Sequence, residues 1–165
     1  MCGNVCVWKP SEKTPLCAIA CQNIISSVLR ENNFPECISS VLKGNSNIGK
    51  WMADDQLIAL LSATGSTKMG RDVSQRVGSR LGKTLLELGG NNAIIITPNA
   101  NIDTAIRASI FGAVGTCGQR CTSTRRLIVH SSIFSDFTKG IQKAYKQLKI
   151  GNPFGTKRYR LYFTI

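Results

Sequence analysis

LELGG at residues 86–90 and GQRCT at residues 118–122 are the two short motifs from which the fold and the chemistry of this chain can best be inferred. The first places Glu87 at the end of an apolar run, just before a glycine turn. The second places the thiol of Cys121 next to the cation of Arg120 in a polar loop. Covalent catalysis that ends in hydrolysis needs a thiol and a separate carboxylate, so we expect the fold to bring Cys121 and Glu87 together.

Around these motifs, short apolar runs alternate with segments of helical periodicity. This alternation predicts an α/β fold, a Rossmann-like parallel sheet with helical crossovers, followed by the start of a second α/β catalytic domain. The Gly89-Gly90 turn is the predicted boundary. Buried strands are predicted at 5–8 and 57–61, and further strands at 38–42, 85–88 and 126–130. One helix is predicted to begin at residue 16 and end before 32–33, and another to follow 65–70 and end near residue 81. Further helices are predicted at 44–53, 101–114 and 132–148.

The composition is that of a soluble globular protein. Of 165 residues, 42% are hydrophobic and 18% are charged, and the formal net charge is +12. This charge favours anionic groups such as phosphates and also fits nucleic acid, but the basic residues are scattered and lack aromatic neighbours on which bases could stack. No apolar run approaches the roughly 18 residues of a membrane span. We therefore expect no nucleic-acid partner and no membrane partner.

The seven cysteines are an odd number in a chain whose first residues show no secretory signal. Free thiols in a reducing compartment are predicted, which favours a cytoplasmic protein, with a mitochondrial location as the alternative. With one histidine and no C-x-x-C pair, no metal site is expected. Cys117 is interpreted as a small packing residue. The spacing C-x3-C occurs at Cys2/Cys6, Cys17/Cys21 and Cys117/Cys121.

The two motifs at their observed spacing resemble the active-site signatures of the aldehyde dehydrogenase superfamily. GNNAII at 90–95 and GQRCT at 118–122 resemble its antiquitin branch in particular, which oxidises α-aminoadipic semialdehyde in lysine breakdown. The resemblance implies NAD-dependent oxidation of an aldehyde, such as that semialdehyde, to a carboxylate through a cysteine thioester. It implies Cys121 as the nucleophile and Glu87 as the general base; an inert core thiol and a structural carboxylate are the alternatives.

The resemblance also assigns residues to the cofactor NAD. Lys9 and Glu12, in the KPSE motif that follows the first strand, resemble the residues that hold the adenosine ribose. A carboxylate there accepts from the 2′-hydroxyl and repels a 2′-phosphate, which favours NAD over NADP. A polar loop with two solvated charges is the alternative.

The motif GSTKMG at 65–70 follows a strand and opens a helix. Free backbone N–H groups and the helix dipole near Gly65, Ser66 and Gly70 can therefore face a pyrophosphate, although an ordinary strand-to-helix turn is the alternative. Leu88 completes the implied cofactor site. By the same resemblance, residues 1–88 are an NAD-binding domain, residues 89–156 begin the catalytic domain, and residues 157–165 leave the family pattern.

Arg120 has two predicted roles and one alternative. Its cation can lower the pKa of the Cys121 thiol, and its guanidinium can pair with a distal carboxylate of an acidic semialdehyde. An exposed arginine that only improves solubility is the alternative.

Three hypotheses about the whole chain remain open. The first is an aldehyde dehydrogenase, whose family is homo-oligomeric and acts on small aldehydes. The second is a truncated, catalytically inactive module that binds full-length subunits. The third, a basic RNA-binding protein, rests on charge alone. Because a second oxyanion donor and the carboxylate for the nicotinamide ribose have no counterpart here, we expect this chain alone to turn over aldehydes very slowly or not at all.

Overall fold

The computed structural model of the chain describes residues 3–151, in which strands and helices alternate except where β4 leads directly into β5. Cys2, Phe154 and the predicted tail at 157–165 lie outside these residues. Single-turn 3-10 segments occur at Glu36–Ile38, Gly115–Gly118 and Ser131–Ile133. The elements are β1 (Cys6–Trp8), α1 (Pro15–Glu31), β2 (Ser39–Val41), α2 (Ser46–Asp54), β3 (Leu60–Gly65), α3 (Thr67–Ser79), β4 (Lys83–Leu88), β5 (Ala93–Ile96), α4 (Ile102–Val114), β6 (Arg126–Val129) and α5 (Phe134–Tyr145).

The strands pair across helical crossovers, as the sequence predicted. β1 and β2 are parallel and joined by α1, with Cys6 opposite Ser39. β5 and β6 are parallel and joined by α4, with Ala93 opposite Arg126. β3 and β4 form a further two-stranded sheet, with α3 between them in the chain. A tight hairpin joins antiparallel strands, whereas parallel strands need a longer crossover connection, usually a helix. The predicted α/β fold class is thereby confirmed.

The chain forms two compact units, the first ending at Glu87 and the second beginning at Leu88. In the first unit, α2, β3 and α3 enclose a small core of Ala53, Leu61, Val73 and Val77, against which Leu86 of β4 packs. In the second unit the buried apolar side chains include Ile96, Ile110 and Phe137. The assignment of 1–88 to an NAD-binding domain and of 89–156 to a catalytic domain stays a prediction.

Local capping chemistry explains where most helices begin. Asn45 caps α2 and Asn101 caps α4, because each side chain accepts a hydrogen bond from a backbone N–H in the first turn, at 3.0 and 2.9 Å. Thr14 precedes α1, and Pro15 occupies its first turn, where its missing N–H costs no helical hydrogen bond. The Thr14 side chain makes no capping bond, since its backbone (ψ 56°) is outside the extended conformation that aims a capping oxygen at the helix.

One strand predicted to be buried is exposed, and another begins later than predicted. All three residues of β1 are exposed, because within residues 3–151 its sheet contains only β2 as a neighbour. The third strand begins at Leu60 instead of Leu57, whose surface is 92% exposed. The backbone N–H of Leu57 donates to the Asp55 carboxylate at 2.8 Å, and this local turn competes with strand formation.

The apolar faces of α4 and α5 follow the predicted periodicity, with one exception. Ser109 and Ile110 are buried on α4, and Phe137 is buried on α5. The two helices pack closely, since a methyl group at Gly140 would overlap the Ile106 side chain. Phe134 fits the same apolar spacing on α5 but is 57% exposed. It is the first residue of α5, and helical side chains point back toward the N-terminus, here beyond the end of the helix.

We expect Phe137→Ala to lower the free energy of unfolding by about 3–5 kcal/mol, because the ring is 2% exposed and its loss leaves a cavity. Phe134→Ala is the matched control, and we expect it to change stability by no more than ~0.5 kcal/mol. Urea unfolding of both variants measures the difference. Equal losses would contradict the burial described for α5.

Candidate active site

Cys121 lies at the tip of a tight turn between α4 and β6. The turn is closed by two hydrogen bonds, from Arg120 N–H to the Ser123 hydroxyl (3.2 Å) and from Ser123 N–H to the Arg120 carbonyl (3.1 Å). Ser123 is buried and anchors the turn, whereas Cys121 and Thr122 are exposed. The thiol is therefore carried on a braced backbone and is open to a substrate.

The chain reaches this turn through a segment of unusual backbone conformation. Thr116, Cys117 and Gly118 have φ angles of 53°, 55° and 68°. The left-handed region suits glycine but costs other residues roughly 1–2 kcal/mol each. The Cys117 side chain is exposed, so its interpretation as a packing residue was wrong. This conformation ends α4 abruptly and directs the chain into the turn that holds Cys121.

Arg120 turns its guanidinium toward the end of α4. Nη2 donates to the Phe111 carbonyl at 3.1 Å, and the guanidinium lies over the Phe111 ring, 4.8 Å from its centre. The Phe111 carbonyl also accepts from the Gly115 backbone N–H. It lies in the last turn of α4, at the negative end of the helix dipole, which attracts a cation. Nε of Arg120 is buried without a hydrogen-bond partner among the described residues. Its roles toward Cys121 and toward a substrate carboxylate stay predictions.

Asn92 is a residue of this site that the sequence reasoning missed. Its side-chain amide donates to the carbonyl of Cys121 at 2.7 Å and to the carbonyl of Ser123 at 3.2 Å. Its own carbonyl accepts from the backbone N–H groups of Arg125 and Arg126. An amide directly after the Gly89-Gly90 turn and before a strand was the available signal. Asn92 thus ties the turn to the start of the β5–β6 sheet.

Glu87 lies near the end of β4, in the first unit, whereas Cys121 belongs to the second. Along β4 the side chains alternate, with Leu86 and Leu88 half-buried and Glu87 exposed. Within residues 3–151 no hydrogen bond reaches the Glu87 carboxylate, so the alternative of a structural carboxylate finds no support there. That the fold brings Glu87 to Cys121 stays a prediction.

The GSTKMG motif forms the start of α3. Gly65 ends β3, and the Ser66 hydroxyl caps the helix by accepting from Met69 N–H at 3.1 Å. The Ser66 carbonyl accepts from Gly70 N–H, and Gly70 is buried. The N–H groups of Thr67 and Lys68 lie in the first turn, where a helix offers no intrahelical acceptor. Together with the positive end of the dipole, they form a surface suited to phosphate.

Lys9 and Glu12 form an ion pair in the loop after β1. Their side-chain atoms are 2.9 Å apart, with Lys9 largely covered and Glu12 about half exposed. The hydrogen bond from Lys9 is the main cause that lowers the pKa of Glu12 below its ordinary value of 4.5. The carboxylate therefore stays ionised down to a lower pH than a free glutamate would, and about half of the Glu12 side chain remains accessible to a hydroxyl donor.

The described residues contain no group of three or more metal-ligating side chains that could hold an ion. Six cysteines in this part of the chain are free and exposed, and Cys2 lies outside it. Between residues 3 and 151, no helix combines the length and the apolarity that crossing a membrane requires.

Comparison with known proteins gives concordant results. The sequence profile described as the aldehyde dehydrogenase family matches residues 1–158, which reaches into the predicted tail. Aldehyde dehydrogenase family 7 member B4 of Arabidopsis thaliana is 48% identical over 153 residues, or 93% of this chain and 30% of that protein. Alpha-aminoadipic semialdehyde dehydrogenase of Bos taurus is 46% identical over 154 residues, or 93% of this chain and 29% of that protein. The chain thus spans about a third or less of these relatives.

Solved structures agree with these relatives. Glyceraldehyde-3-phosphate dehydrogenase GapN from Methanocaldococcus jannaschii, complexed with NADP, has a TM-score of 0.88 at 34% identity and covers 92% of this chain and 33% of its own. Betaine aldehyde dehydrogenase from Staphylococcus aureus, in complex with NAD+, has a TM-score of 0.83 at 28% identity and covers 93% of this chain and 30% of its own. The profile matches nearly the whole chain, so this chain belongs to the aldehyde dehydrogenase family.

Proposed function

We propose that this chain carries the nucleophile and the base of an NAD-dependent aldehyde dehydrogenase that converts a semialdehyde, such as α-aminoadipic semialdehyde, to a carboxylate. The observation that carries the proposal is the exposed thiol of Cys121 on a turn braced by Ser123 and Asn92, in a chain of this family. A nucleophile on a fixed backbone meets the carbonyl in a reproducible orientation. Lysine breakdown in the cytoplasm or the mitochondrion is the setting that we infer from the resemblance.

In the proposed reaction the Cys121 thiolate attacks the aldehyde carbon. A C–S bond forms, and the π electrons of the C=O bond move to the oxygen, which becomes an oxyanion. Bound NAD would supply the hydride acceptor, and the C=O bond re-forms as the hydride leaves the carbon. The product of this step is a thioester on Cys121. Glu87 then takes a proton from water, the water oxygen attacks the thioester carbon, and the C–S bond breaks to release a carboxylate and restore the thiolate.

The loop after β1 and the first turn of α3 have groups that fit a dinucleotide. The open N–H groups of Thr67 and Lys68 can donate to a pyrophosphate without displacing the Ser66 cap. The Glu12 carboxylate can accept from a ribose hydroxyl while Lys9 holds it in place. Leu88, half-buried at the end of β4, is the apolar residue that the resemblance assigns to the cofactor.

We expect Glu12→Gln to narrow the preference for NAD over NADP roughly 5–10-fold, because it removes a charge that repels a 2′-phosphate and a charge-assisted hydrogen bond. Fluorescence titration with both dinucleotides measures the ratio. Glu36→Gln is the matched control, since Glu36 forms a similar exposed ion pair with Arg30 at 3.1 Å. An unchanged ratio in a binding-competent Glu12→Gln variant would show that Glu12 does not read the ribose.

Arg120 supports the choice of an acidic substrate. Of its five N–H donors, one on Nη2 is bonded to the Phe111 carbonyl, so further donors of the planar guanidinium can bind a carboxylate. Named relatives act on α-aminoadipic semialdehyde, which carries such a group. The substrate assignment rests on these two points.

An absorbance assay of NADH formation tests the proposed function. Purified chain is mixed with NAD and either α-aminoadipic semialdehyde or a neutral aldehyde of similar length. Any aldehyde-dependent formation of NADH by this chain alone is expected to be slow and to prefer the acidic substrate. NADH formation that proceeds equally without aldehyde, or that prefers the neutral aldehyde, would count against it.

A second candidate function is association with longer subunits of the same family. It is favoured by the apolar side chains of α1, where Leu16 and Ile24 are 77% and 66% exposed. Burying such side chains on a partner is favourable by about 25 cal/mol per Å². Co-expression with a longer relative and size-exclusion chromatography test it; separate elution would exclude this association.

A further inference from the structure

The side chain of Asn92 uses both of its N–H donors on the active-site turn. One bond reaches the carbonyl of Cys121 at 2.7 Å, and the other reaches the carbonyl of Ser123 at 3.2 Å. These two carbonyls lie on either side of Thr122. A single amide therefore holds the main chain before and after the tip of the turn.

Asn92 is well placed for this because of the strand register. Ala93 pairs with Arg126 at the start of the parallel sheet. Asn92 therefore directly precedes the first residue pair of the sheet and lies beside the end of the turn. Its carbonyl accepts from Arg125 N–H at 3.0 Å and Arg126 N–H at 3.2 Å. Side chain and backbone of one residue thus bind the turn and the strand that follows it.

The turn has its own closing bonds between Arg120 and Ser123. It can form without Asn92, but those bonds do not attach it to the sheet. The two bonds from Asn92 provide that attachment, and a hydrogen bond of this kind contributes enough to change local opening about tenfold.

We propose that Asn92 is a positioning residue for Cys121, holding the main chain of the turn so that the thiol and the N–H groups at its tip keep one orientation. This inference rests on the proposed function only in calling Cys121 the nucleophile. Asn92 does not touch the substrate in this proposal; it acts through the backbone of residues 121 and 123.

Three variants of the full chain test the proposal. Asn92→Asp keeps the shape of the side chain but replaces the donor by an anion that faces two carbonyl oxygens. Asn92→Ala removes the donor without adding charge. Asn91→Asp is the control. It makes the same charge change at the neighbouring residue, whose side chain forms no hydrogen bond within residues 3–151.

Two measurements are made on each variant. Hydrogen exchange follows the amides of residues 118–125, and peptide mapping after limiting iodoacetamide follows the alkylation rate of Cys121 as a function of pH. Cys6, Cys17 and Cys37 serve as internal references because they are exposed and distant in sequence. In the unaltered chain we expect Cys121 to be the fastest thiol near neutral pH.

Both Asn92 variants should exchange the 118–125 amides about 10-fold faster, and the alkylation profile of Cys121 should change relative to the reference thiols, while the reference thiols and Asn91→Asp stay unchanged. Unchanged exchange, or faster exchange with an unchanged Cys121 profile, overturns the proposal. If Asn92→Asp unfolds the chain and accelerates every thiol, Asn92→Ala decides; if both unfold it, Asn92 is a general stability residue and the proposal fails. A slow Cys121 in the unaltered chain would count against the proposed function, whereas the exchange data still report on Asn92.

Discussion

Replacement of Cys121 by alanine is expected to reduce aldehyde-dependent NADH formation by about 10⁴-fold or more, because loss of the covalent nucleophile removes the route to the thioester. Binding of NAD should remain, since the polar residues proposed to hold the dinucleotide, Lys9, Glu12 and Ser66, lie in the first unit and are unaltered. NADH absorbance measures the rate, and dinucleotide fluorescence measures binding. Loss of both together would indicate misfolding instead of a missing nucleophile.

Cys117→Ala is the matched control for this experiment. Cys117 is an exposed free thiol in the same loop and has the same side chain. Its φ of 55° is no easier for alanine than for cysteine, so the backbone strain is unchanged. We expect activity within about twofold of the unaltered chain, within the scatter expected of a substitution remote from the chemistry. If Cys117→Ala were inactive and Cys121→Ala active, the nucleophile would be Cys117.

Glu87→Gln is expected to slow turnover by about 10²–10⁴-fold, because an amide cannot take a proton from the attacking water. Acylation of Cys121 does not need this base, so the thioester should accumulate. Mass spectrometry of the quenched enzyme would show the acyl group on the peptide that contains Cys121, together with a single burst of NADH.

The control for Glu87→Gln is Glu31→Gln, which makes the same change at an exposed position at the end of α1. It should leave the turnover and the acylation state unchanged. Slow turnover of Glu87→Gln without an accumulated thioester would show that Glu87 acts before acylation, and its assignment as the hydrolytic base would be wrong.

The order of strands and helices was predictable because it depends on neighbours along the chain. Asn101 precedes an apolar periodic segment and caps α4, and GSTKMG forms the start of α3, where Ser66 caps the helix. Capping and periodicity act within one or two helical turns. The motif that contains Cys121 was identified in the same way, from residues adjacent in the sequence.

Burial and side-chain direction were less predictable because they depend on groups far away in the chain. Phe134 and Phe137 fit the same apolar pattern, but only Phe137 is buried. Leu57 reads as part of a strand, yet the Asp55 side chain holds it in a turn. Periodicity shows which side chains share a face, but not whether a partner covers that face.

The sequence shows which residues the active-site loop contains, but it does not show how their side chains are arranged. The amino-acid sequence identifies Cys121, Glu87 and Arg120 as candidate reactive or binding groups. The direction of Arg120 toward Phe111 and the bridge from Asn92 to Cys121 arise only after folding. Both depend on hydrogen-bond acceptors that become available when α4 ends and when β5 pairs with β6, and no local pattern encodes those distances.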